Sequence, residues 1–371
     1  MGADSSLRHR FERGLAAPIC LTWELTYACN LACTHCLSSS GRRDPGELST
    51  DEAKSLIDEI AAMKVFYINI GGGEPMIRGD FFELIEHAVA QRVGVKFSTN
   101  GTRVDGPAAR RLAGIDYLDI QVSIDGADAA TSDRVRGAGS YDAARRAMDH
   151  LAAAGFGPFK ISVVMTRDSV EQLDEFERLA ANYGAQLRLT RLRPSGRAVE
   201  TWEELHPTLE QGRRLYAWLR SRPEVLTGDS FFHLSALGEP LEGLNLCGAG
   251  RVVCLIDPVG DVYACPFVIH DEFRAGNVRA EGFATVWSNS ELFRSLREPG
   301  SVGACGSCGS YDACRGGCMA AKFFTGLERS DPDPECVFGH GETALAAKKI
   351  LIRPRSSVDH SRRAAVSITS R

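Results

Sequence analysis

The chain has 371 residues, of which 44% are hydrophobic and 25% are charged, and this composition excludes a disordered or fibrous protein. Its 48 acidic and 43 basic side chains give a net charge of -5, so we expect no general attraction to nucleic acid or to an anionic membrane. No apolar run approaches the roughly 18 residues of a membrane span, and the first residues are charged rather than apolar. We therefore expect a cytoplasmic protein without nucleic-acid or membrane partners.

Short apolar runs alternate with amphipathic stretches from about residue 19 to residue 220, a pattern that predicts repeated βα units around a parallel sheet. The six predicted strands are Ile19–Leu25, Phe66–Ile70, Gly94–Ser98, Tyr117–Val122, Lys160–Met165 and Gln186–Leu192. Between the last two, residues 170–183 have helical periodicity. Six units are fewer than the eight of a closed barrel, so we predict an α/β fold with a partial (β/α)6 barrel whose site lies at the carboxyl ends of the strands.

The sequence predicts five segments: an N-terminal arm (1–17), the βα core (18–222), a linker rich in turn residues (223–246), a small Cys-rich domain (247–340) and a basic tail (341–371). In the Cys-rich domain, residues 251–264 form a predicted hairpin that turns at 257–260. This domain has little apolar material for a core of its own, so bound metal is expected to hold it together. The tail begins with a short helix to about Ile350 and is otherwise expected to be disordered.

Twelve cysteines are unusual for a cytosolic enzyme, because a reducing compartment disfavours disulfides and leaves metal or redox chemistry as the leading explanation. Four of them lie near the N-terminus, and the other eight lie between Cys247 and Cys336. The gap between these groups predicts two separate cysteine-dependent regions.

The first group contains a C-x3-C-x2-C loop formed by Cys29, Cys33 and Cys36, directly after the first strand. Three thiolates on one loop can hold three corners of a [4Fe–4S] cube and leave the fourth iron open to a ligand. A structural zinc site is the alternative, but it needs a fourth ligand, and His35 lies awkwardly between two of the cysteines. Cys20 falls inside the first strand and is predicted to be a core residue.

Three more motifs follow the next three strands: Gly71-Gly72-Gly73-Glu74-Pro75, Ser98-Thr99-Asn100-Gly101 and Ser123-Ile124-Asp125-Gly126. Together with the cysteine loop they resemble the radical S-adenosylmethionine (SAM) superfamily. The resemblance implies that Gly72, Gly73 and Glu74 lie at the methionyl ammonium of SAM, that Ser123 and Arg136 hold its carboxylate, and that the backbone around Leu192 holds its adenine. Arg134 is the alternative to Arg136 as the arginine that holds the carboxylate.

The eight distal cysteines resemble the SPASM extension of radical SAM enzymes that modify peptides. This resemblance implies two auxiliary [4Fe–4S] clusters, and hence three clusters in the whole protein. The ligands it implies are Cys247, Cys254, Cys265 and Cys318 for the first, and Cys305, Cys308, Cys314 and Cys336 for the second. Cys254 is the least secure of the eight, and a pair of zinc knuckles is the alternative that spacing leaves open.

Over nearly the whole chain the sequence is similar to mycofactocin radical SAM maturases, notably in the runs 19–30, 65–75, 228–234 and 314–324. The similarity implies oxidative decarboxylation of the C-terminal Tyr of a small ribosomal precursor peptide, followed by a carbon–carbon bond to the preceding Val that closes a pyrrolidinone. It also implies a flavodoxin or ferredoxin as electron donor and a separate small peptide-chaperone protein. Another SPASM maturase, such as a thioether synthase or a sulfatase activator, is the alternative.

Overall fold

The computed structural model describes residues 5–228, 231–243, 245–298 and 303–348. Most of the basic tail and residues 229–230 of the run 228–234 therefore lie outside the described residues. The described strands are β1 Cys20–Thr26, β2 Tyr67–Gly72, β3 Gly94–Thr99, β4 Leu118–Ser123, β5 Lys160–Met165, β6 Gln186–Arg191, β7 Val253–Ile256, β8 Asp261–Tyr263 and β9 Arg274–Asn277. The first six lie within about two residues of the predicted ones, which confirms the βα reading.

In the described ranges, helices follow each of the strands β1 to β6, and further helices follow β9. They are α1 Ser5–Arg13, α2 Thr50–Ala62, α3 Phe81–Ala90, α4 Gly106–Ala113, α5 Ala129–Arg136, α6 Ser140–Ala153, α7 Leu173–Asn182, α8 Ala198–Leu205, α9 Leu209–Arg220, α10 Val278–Glu281, α11 Phe283–Asn289, α12 Glu291–Arg297, α13 Tyr311–Cys314, α14 Met319–Phe324 and α15 His340–Ala347. The predicted helix at 170–183 begins instead as a 3-10 turn, Ser169–Gln172, before α7. None of the described helices combines the length and apolar character that a membrane crossing requires.

The strands β1 to β6 are parallel neighbours in chain order, and each has one face in the core. In β3, for example, Val95 and Phe97 pack beneath the helices, whereas Lys96 and Ser98 are half-buried on the opposite, concave face. Helices cover the convex face because it carries the apolar side chains, and the concave face is left polar. The polar inner face of the partial barrel is therefore suited to binding a polar ligand.

The predicted hairpin is present as β7 and β8, which pair antiparallel around the turn at 257–260. The structure adds a relationship that the sequence did not show, since β7 pairs in parallel with β1, with Leu21 opposite Cys254. The strands therefore form a single sheet in the order β6-β5-β4-β3-β2-β1-β7-β8-β9. Residues of the Cys-rich segment such as Val262, Phe283 and Trp287 belong to the same apolar cluster as the barrel. This segment therefore shares the core of the βα units, and the expectation that bound metal also holds it together stays a prediction.

Candidate active site

The cysteine loop follows β1 and is tied to neighbouring backbone at both ends. The amide of Cys29 donates to the carbonyl of Gly41 at 2.8 Å, and the amide of Gly41 donates to the carbonyl of Tyr27 at 2.8 Å. All three thiols of the loop are free. Burial, reinforced by the neighbouring thiols, raises the pKa of Cys29 to about 12 and that of Cys33 to about 11. Such thiols stay protonated until an electrophilic metal takes the place of the proton, so the donor set fits a thiolate-bound iron cluster.

The glycines after β2 are needed for contact with this loop. Gly73 donates from its amide to the carbonyl of Thr26 at 2.8 Å, and a Cβ at Gly73 would lie 1.9 Å from the carbonyl oxygen of Ala28. Gly72 has a φ of +100°, which side-chain-bearing residues rarely adopt. These two glycines therefore let the backbone after β2 pack directly against the start of the cysteine loop.

Glu74 is fully buried beneath the same loop. Its carboxylate accepts hydrogen bonds from the hydroxyl of Thr99 at 2.9 Å and from the amides of Asn100 and Met76 at 2.7 and 3.3 Å. Burial raises the pKa of Glu74 to about 7, although these donors act in the opposite direction. The carboxylate thus joins the motif after β2 to the motif after β3.

Asp125, in the motif after β4, connects the cysteine loop to α5. Its Oδ2 lies 2.7 Å from Nε2 of His35 and 2.6 Å from Nε of Arg136, and its Oδ1 accepts from the amide of Val164 at 2.8 Å. Burial alone would raise the pKa of this carboxyl, but the facing Arg136 and His35 hold it well below its usual range. Asp125 was not among the predicted site residues, although its place in the Ser-Ile-Asp-Gly motif was a signal.

The structure separates the two arginines that the sequence left as alternatives. Arg136 is largely buried, and its backbone carbonyl lies 3.9 Å from Sγ of Cys33. Arg134 projects to the surface, where its exposed side chain pairs with Asp168 at 2.6 Å. Ser123 is the last residue of β4, and Leu192 is buried just after β6. Of the two arginines, Arg136 is therefore the one placed to meet a ligand at the cysteine loop.

A segment after β6 that sequence reasoning missed also holds the loop. Arg197 donates from Nε to the carbonyl of Cys33 at 2.8 Å and from Nη1 to that of Ser40 at 2.9 Å. Gly196 has a φ of +58°, and a Cβ there would lie 2.3 Å from the carbonyl oxygen of Cys36. The Ser-Gly-Arg triplet at 195–197 was visible in the sequence, but nothing in its composition indicated contact with residues about 160 positions earlier.

Several buried polar atoms near the loop and on the concave face have no protein partner within the described residues. They are Nδ1 of His35, Oγ of Ser39, Oγ of Ser195, Oδ1 of Asn69 and Oε1 of Gln121. Unsatisfied buried polar atoms cost free energy unless a ligand or water bonds to them. Together with Arg136 and three free thiols, the atoms of His35, Ser39 and Ser195 fit a polar ligand such as SAM bound at the cysteine loop.

The distal cysteines form the second concentration of thiols. Cys305, Cys308, Cys314 and Cys336 line one cavity of about 530 Å³, together with Asp333 and Gly316. No three His, Cys, Asp or Glu side chains in the described ranges converge on a single-ion site. A four-iron cube takes its thiolates from a wider circle than one ion does, so this cavity has the donors and the room for a cluster.

The remaining four distal cysteines are Cys247, Cys254, Cys265 and Cys318. Burial raises the pKa of the Cys265 thiol, and the nearby Cys247 and Cys318 raise it further. Cys254 is fully buried in β7, close to both Cys265 and Cys20. Nε of Arg193 lies 3.5 Å from Sγ of Cys318, and the Arg193 guanidinium stacks on Phe267 at 3.7 Å. A cationic donor therefore already faces one of the thiols predicted to hold the first auxiliary cluster.

Comparison with known proteins agrees with this arrangement. The chain matches the Radical SAM superfamily over residues 23–180 and SPASM, an iron-sulfur cluster-binding domain, over residues 247–309. It is 66% identical over 365 residues to mycofactocin maturase MftC of Mycobacterium tuberculosis strain H37Rv. The aligned region covers 97% of this chain and 93% of that protein. This chain belongs to the mycofactocin maturase family of radical SAM enzymes. The family predicted from the motifs is thereby confirmed.

More distant relatives share the architecture. The AdoMet-dependent heme synthase of Oleidesulfovibrio alaskensis is 31% identical over 380 residues, covering 94% of this chain and 95% of that one. Streptococcus suis SuiB bound to the precursor peptide SuiA superimposes with a TM-score of 0.71 at 18% identity, over 89% of this chain and 78% of that chain. Native anSMEcpe with bound AdoMet superimposes with a TM-score of 0.65 at 15% identity, over 88% of this chain and 96% of that chain. The predicted fold, a partial barrel followed by a SPASM domain, is confirmed.

Membership of this family makes the protein a radical SAM enzyme, a peptide-modifying maturase of mycofactocin biosynthesis. The radical SAM match implies SAM and a [4Fe–4S] cluster, and the SPASM match implies additional iron–sulfur clusters.

Proposed function

We propose that this maturase acts on a small precursor peptide ending in Val-Tyr. It first decarboxylates the tyrosine oxidatively and then joins the product to the valine by a carbon–carbon bond, which closes a pyrrolidinone. The observation that carries this proposal is the 66% identity to mycofactocin maturases over nearly the full chain. The polar concave face supports it, because a peptide end needs hydrogen-bonding partners inside the barrel.

We propose Cys29, Cys33 and Cys36 as the ligands of the SAM-binding cluster. When bound, this cluster and SAM supply a carbon radical able to take a hydrogen atom from the peptide. Arg136 and Ser123, the last residue of β4, would hold the SAM carboxylate, and Asp125 forms an ion pair with Arg136 at 2.6 Å. Gly72, Gly73 and Glu74 would border the methionyl ammonium, and the backbone at Leu192 the adenine.

We propose two auxiliary clusters, and hence three [4Fe–4S] clusters in all. The ligands are Cys247, Cys254, Cys265 and Cys318 for the first and Cys305, Cys308, Cys314 and Cys336 for the second. The shared cavity of the latter four supports their grouping. A flavodoxin or ferredoxin would supply the electron, and a separate peptide-chaperone protein would deliver the precursor.

The reaction is tested with a synthetic peptide ending in Val-Tyr, SAM and a reductant under anaerobic conditions. Mass spectrometry should detect the decarboxylated peptide and then the cross-linked one, with 5′-deoxyadenosine as co-product. The Cys29→Ala variant should give none of these products. If the wild-type enzyme forms 5′-deoxyadenosine but never decarboxylates the peptide, the chemistry is that of another SPASM maturase, such as a thioether synthase or sulfatase activator.

The cluster count is tested by iron and sulfide analysis after anaerobic reconstitution. Three cubes require about 12 of each per chain, and Cys20→Ala should keep that value because Cys20 is assigned to no cluster. Cys254→Ala should instead lower the iron content toward about 8. A Cys254→Ala protein that retains about 12 irons would remove Cys254 from the ligand set.

A further inference from the structure

The amino-terminal half of the concave face carries an excess of positive charge. Lys96 of β3, Lys160 of β5 and Arg188 of β6 point to this face, and each is only partly accessible. Asp119 of β4 lies opposite Lys96 in the sheet register and pairs with Lys160 at 2.5 Å. Among these three cations, only Lys160 forms an ion pair with Asp119 in the described part of the chain.

Neither Lys96 nor Arg188 takes part in an ion pair within the described residues. Nη1 of Arg188 donates to the hydroxyl of Ser162 at 3.2 Å, a neutral acceptor. Burial, together with the repulsion of Arg188, lowers the pKa of Lys96 to about 8. Buried cations without an anionic partner are costly, so a site of this kind is stabilised by an anion from outside the chain.

The surroundings of these cations are suited to a peptide end. Oδ1 of Asn69 and Oε1 of Gln121, both on the concave face, are buried and have no partner among the described residues. Such oxygens can accept hydrogen bonds from the backbone amides of a peptide. The polar lining therefore extends from the cations toward the cysteine loop.

The rim of the barrel on the same side carries two exposed aromatic side chains. Phe66, just before β2, is 79% exposed and Tyr117, just before β4, is 80% exposed. The carbonyl oxygens of both would contact a Cβ at Gly94, so the two residues flank the start of β3, the strand of Lys96. Tyr117 has a φ of +55°, a strained conformation for a bulky aromatic residue that is typical of functional positions.

We propose that Lys96 and Arg188 form the receptor for the C-terminal carboxylate of the precursor peptide, which enters past Phe66 and Tyr117. The inference deepens the proposed function, since it rests on a substrate that reacts at its C-terminal residue. A chain end can enter a barrel end-first, and the two cations hold the carboxylate while the preceding residues extend back to the aromatic rim. These residues act by binding and orienting the substrate.

The test measures peptide affinity in the reconstituted enzyme with SAM present and reductant withheld, so that no turnover occurs. Two synthetic peptides with the same sequence ending in Val-Tyr are compared, one with a free C-terminal carboxylate and one with a carboxamide. The wild-type enzyme should bind the acid at least about tenfold more tightly than the amide. Lys96→Met and Arg188→Met should each weaken binding of the acid by about tenfold and leave the amide unchanged.

Two variants separate charge recognition from a folding defect. Lys96→Arg keeps the positive charge and should preserve the preference for the acid. Asp119→Asn removes the competing carboxylate and should increase that preference. Arg178→Met, which alters an exposed arginine on α7, is the matched control and should change neither affinity. Iron content and circular dichroism should be the same for all of these proteins.

Equal binding of acid and amide by the wild-type enzyme would overturn the receptor, as would an unchanged preference in both Lys96→Met and Arg188→Met. If the wild-type enzyme decarboxylates the peptide without preferring the acid, the receptor fails and the proposed reaction stands. If it prefers the acid through Lys96 but never decarboxylates it, the proposed reaction fails and the receptor stands.

Discussion

Arg191, at the carboxyl end of β6, forms a buried two-point ion pair with Asp333 of the Cys-rich segment. Its Nη1 lies 2.9 Å from Oδ2 of Asp333, and its Nε donates to Glu335 at 2.6 Å. The same Oδ2 accepts from the amide of Cys318 at 2.7 Å. One barrel residue therefore fixes the segment that carries ligands proposed for both auxiliary clusters.

Replacing this arginine should destabilise the protein strongly. Arg191→Met leaves the carboxylates of Asp333 and Glu335 buried without their cation, so we expect the free energy of unfolding to fall by about 3–5 kcal/mol. Thermal unfolding of the anaerobically reconstituted enzyme measures this. Arg214→Met, which removes an exposed pair with Glu171, should cost less than about 1 kcal/mol. Similar losses in both variants would contradict the role given to Arg191.

The cysteine loop should not tolerate a methyl group at Gly73. A Cβ there would lie 1.9 Å from the Ala28 carbonyl oxygen, whereas a Cβ at Gly71 meets nothing within 4 Å. We therefore expect Gly73→Ala to lose about 4 irons per chain and Gly71→Ala to keep its full iron content. Iron analysis compares the two proteins, and normal loading of Gly73→Ala would show that the loop can move aside.

Asp125 should act on SAM through Arg136. Asp125→Asn removes the charge that fixes both Arg136 and His35, so we expect the KM for SAM to rise by about tenfold or more. The measurement is 5′-deoxyadenosine formation as a function of SAM concentration. Arg134→Gln should leave this KM unchanged, because Arg134 is exposed and pairs with Asp168. An increase in KM for Arg134→Gln alone would reassign the carboxylate contact.

Asp257, in the turn between β7 and β8, should make stability depend on pH. Burial raises its pKa from 3.8 to about 6, although the phenol of Tyr27 donates to it at 2.7 Å. The folded protein thus keeps this proton to a higher pH than the unfolded chain does. The contribution of the protonated Asp257 to the free energy of unfolding is therefore lost as the pH rises from about 4 to about 6. Between about pH 4.5 and about pH 7.5 the loss amounts to about 2 kcal/mol.

Asp257→Asn mimics the protonated carboxyl and should lack this decrease. Urea unfolding of both proteins across the same pH range provides the measurement. Other titrating groups contribute equally to the two proteins, so the difference between their free energies of unfolding isolates Asp257. Two parallel pH profiles would show that its pKa is not raised in the folded state.

The repeated units of the barrel were predictable because each strand has its own local signature. In β3 the alternation of Val95 and Phe97 with Lys96 and Ser98 marks a strand with one core face, and the structure has this arrangement. The three cysteines of the loop were likewise visible from their spacing alone.

Contacts between distant segments were not predictable in the same way. Arg197 reaches the carbonyl of Cys33, and Arg191 reaches Asp333, across sequence separations that carry no periodic signal. The pairing of β7 with β1 is of the same kind, because an apolar run such as Val253–Ile256 does not specify which strand it joins.

That pairing also bears on how the protein could be divided. A chain shortened to the six βα units would lose β7 and leave the backbone of β1 as a bare edge, a template on which other strands can aggregate. We therefore expect the SPASM region to be needed for a soluble barrel even in experiments that do not need its iron. A shortened protein made to study the SAM-binding half should keep the chain at least to the end of β9 at Asn277.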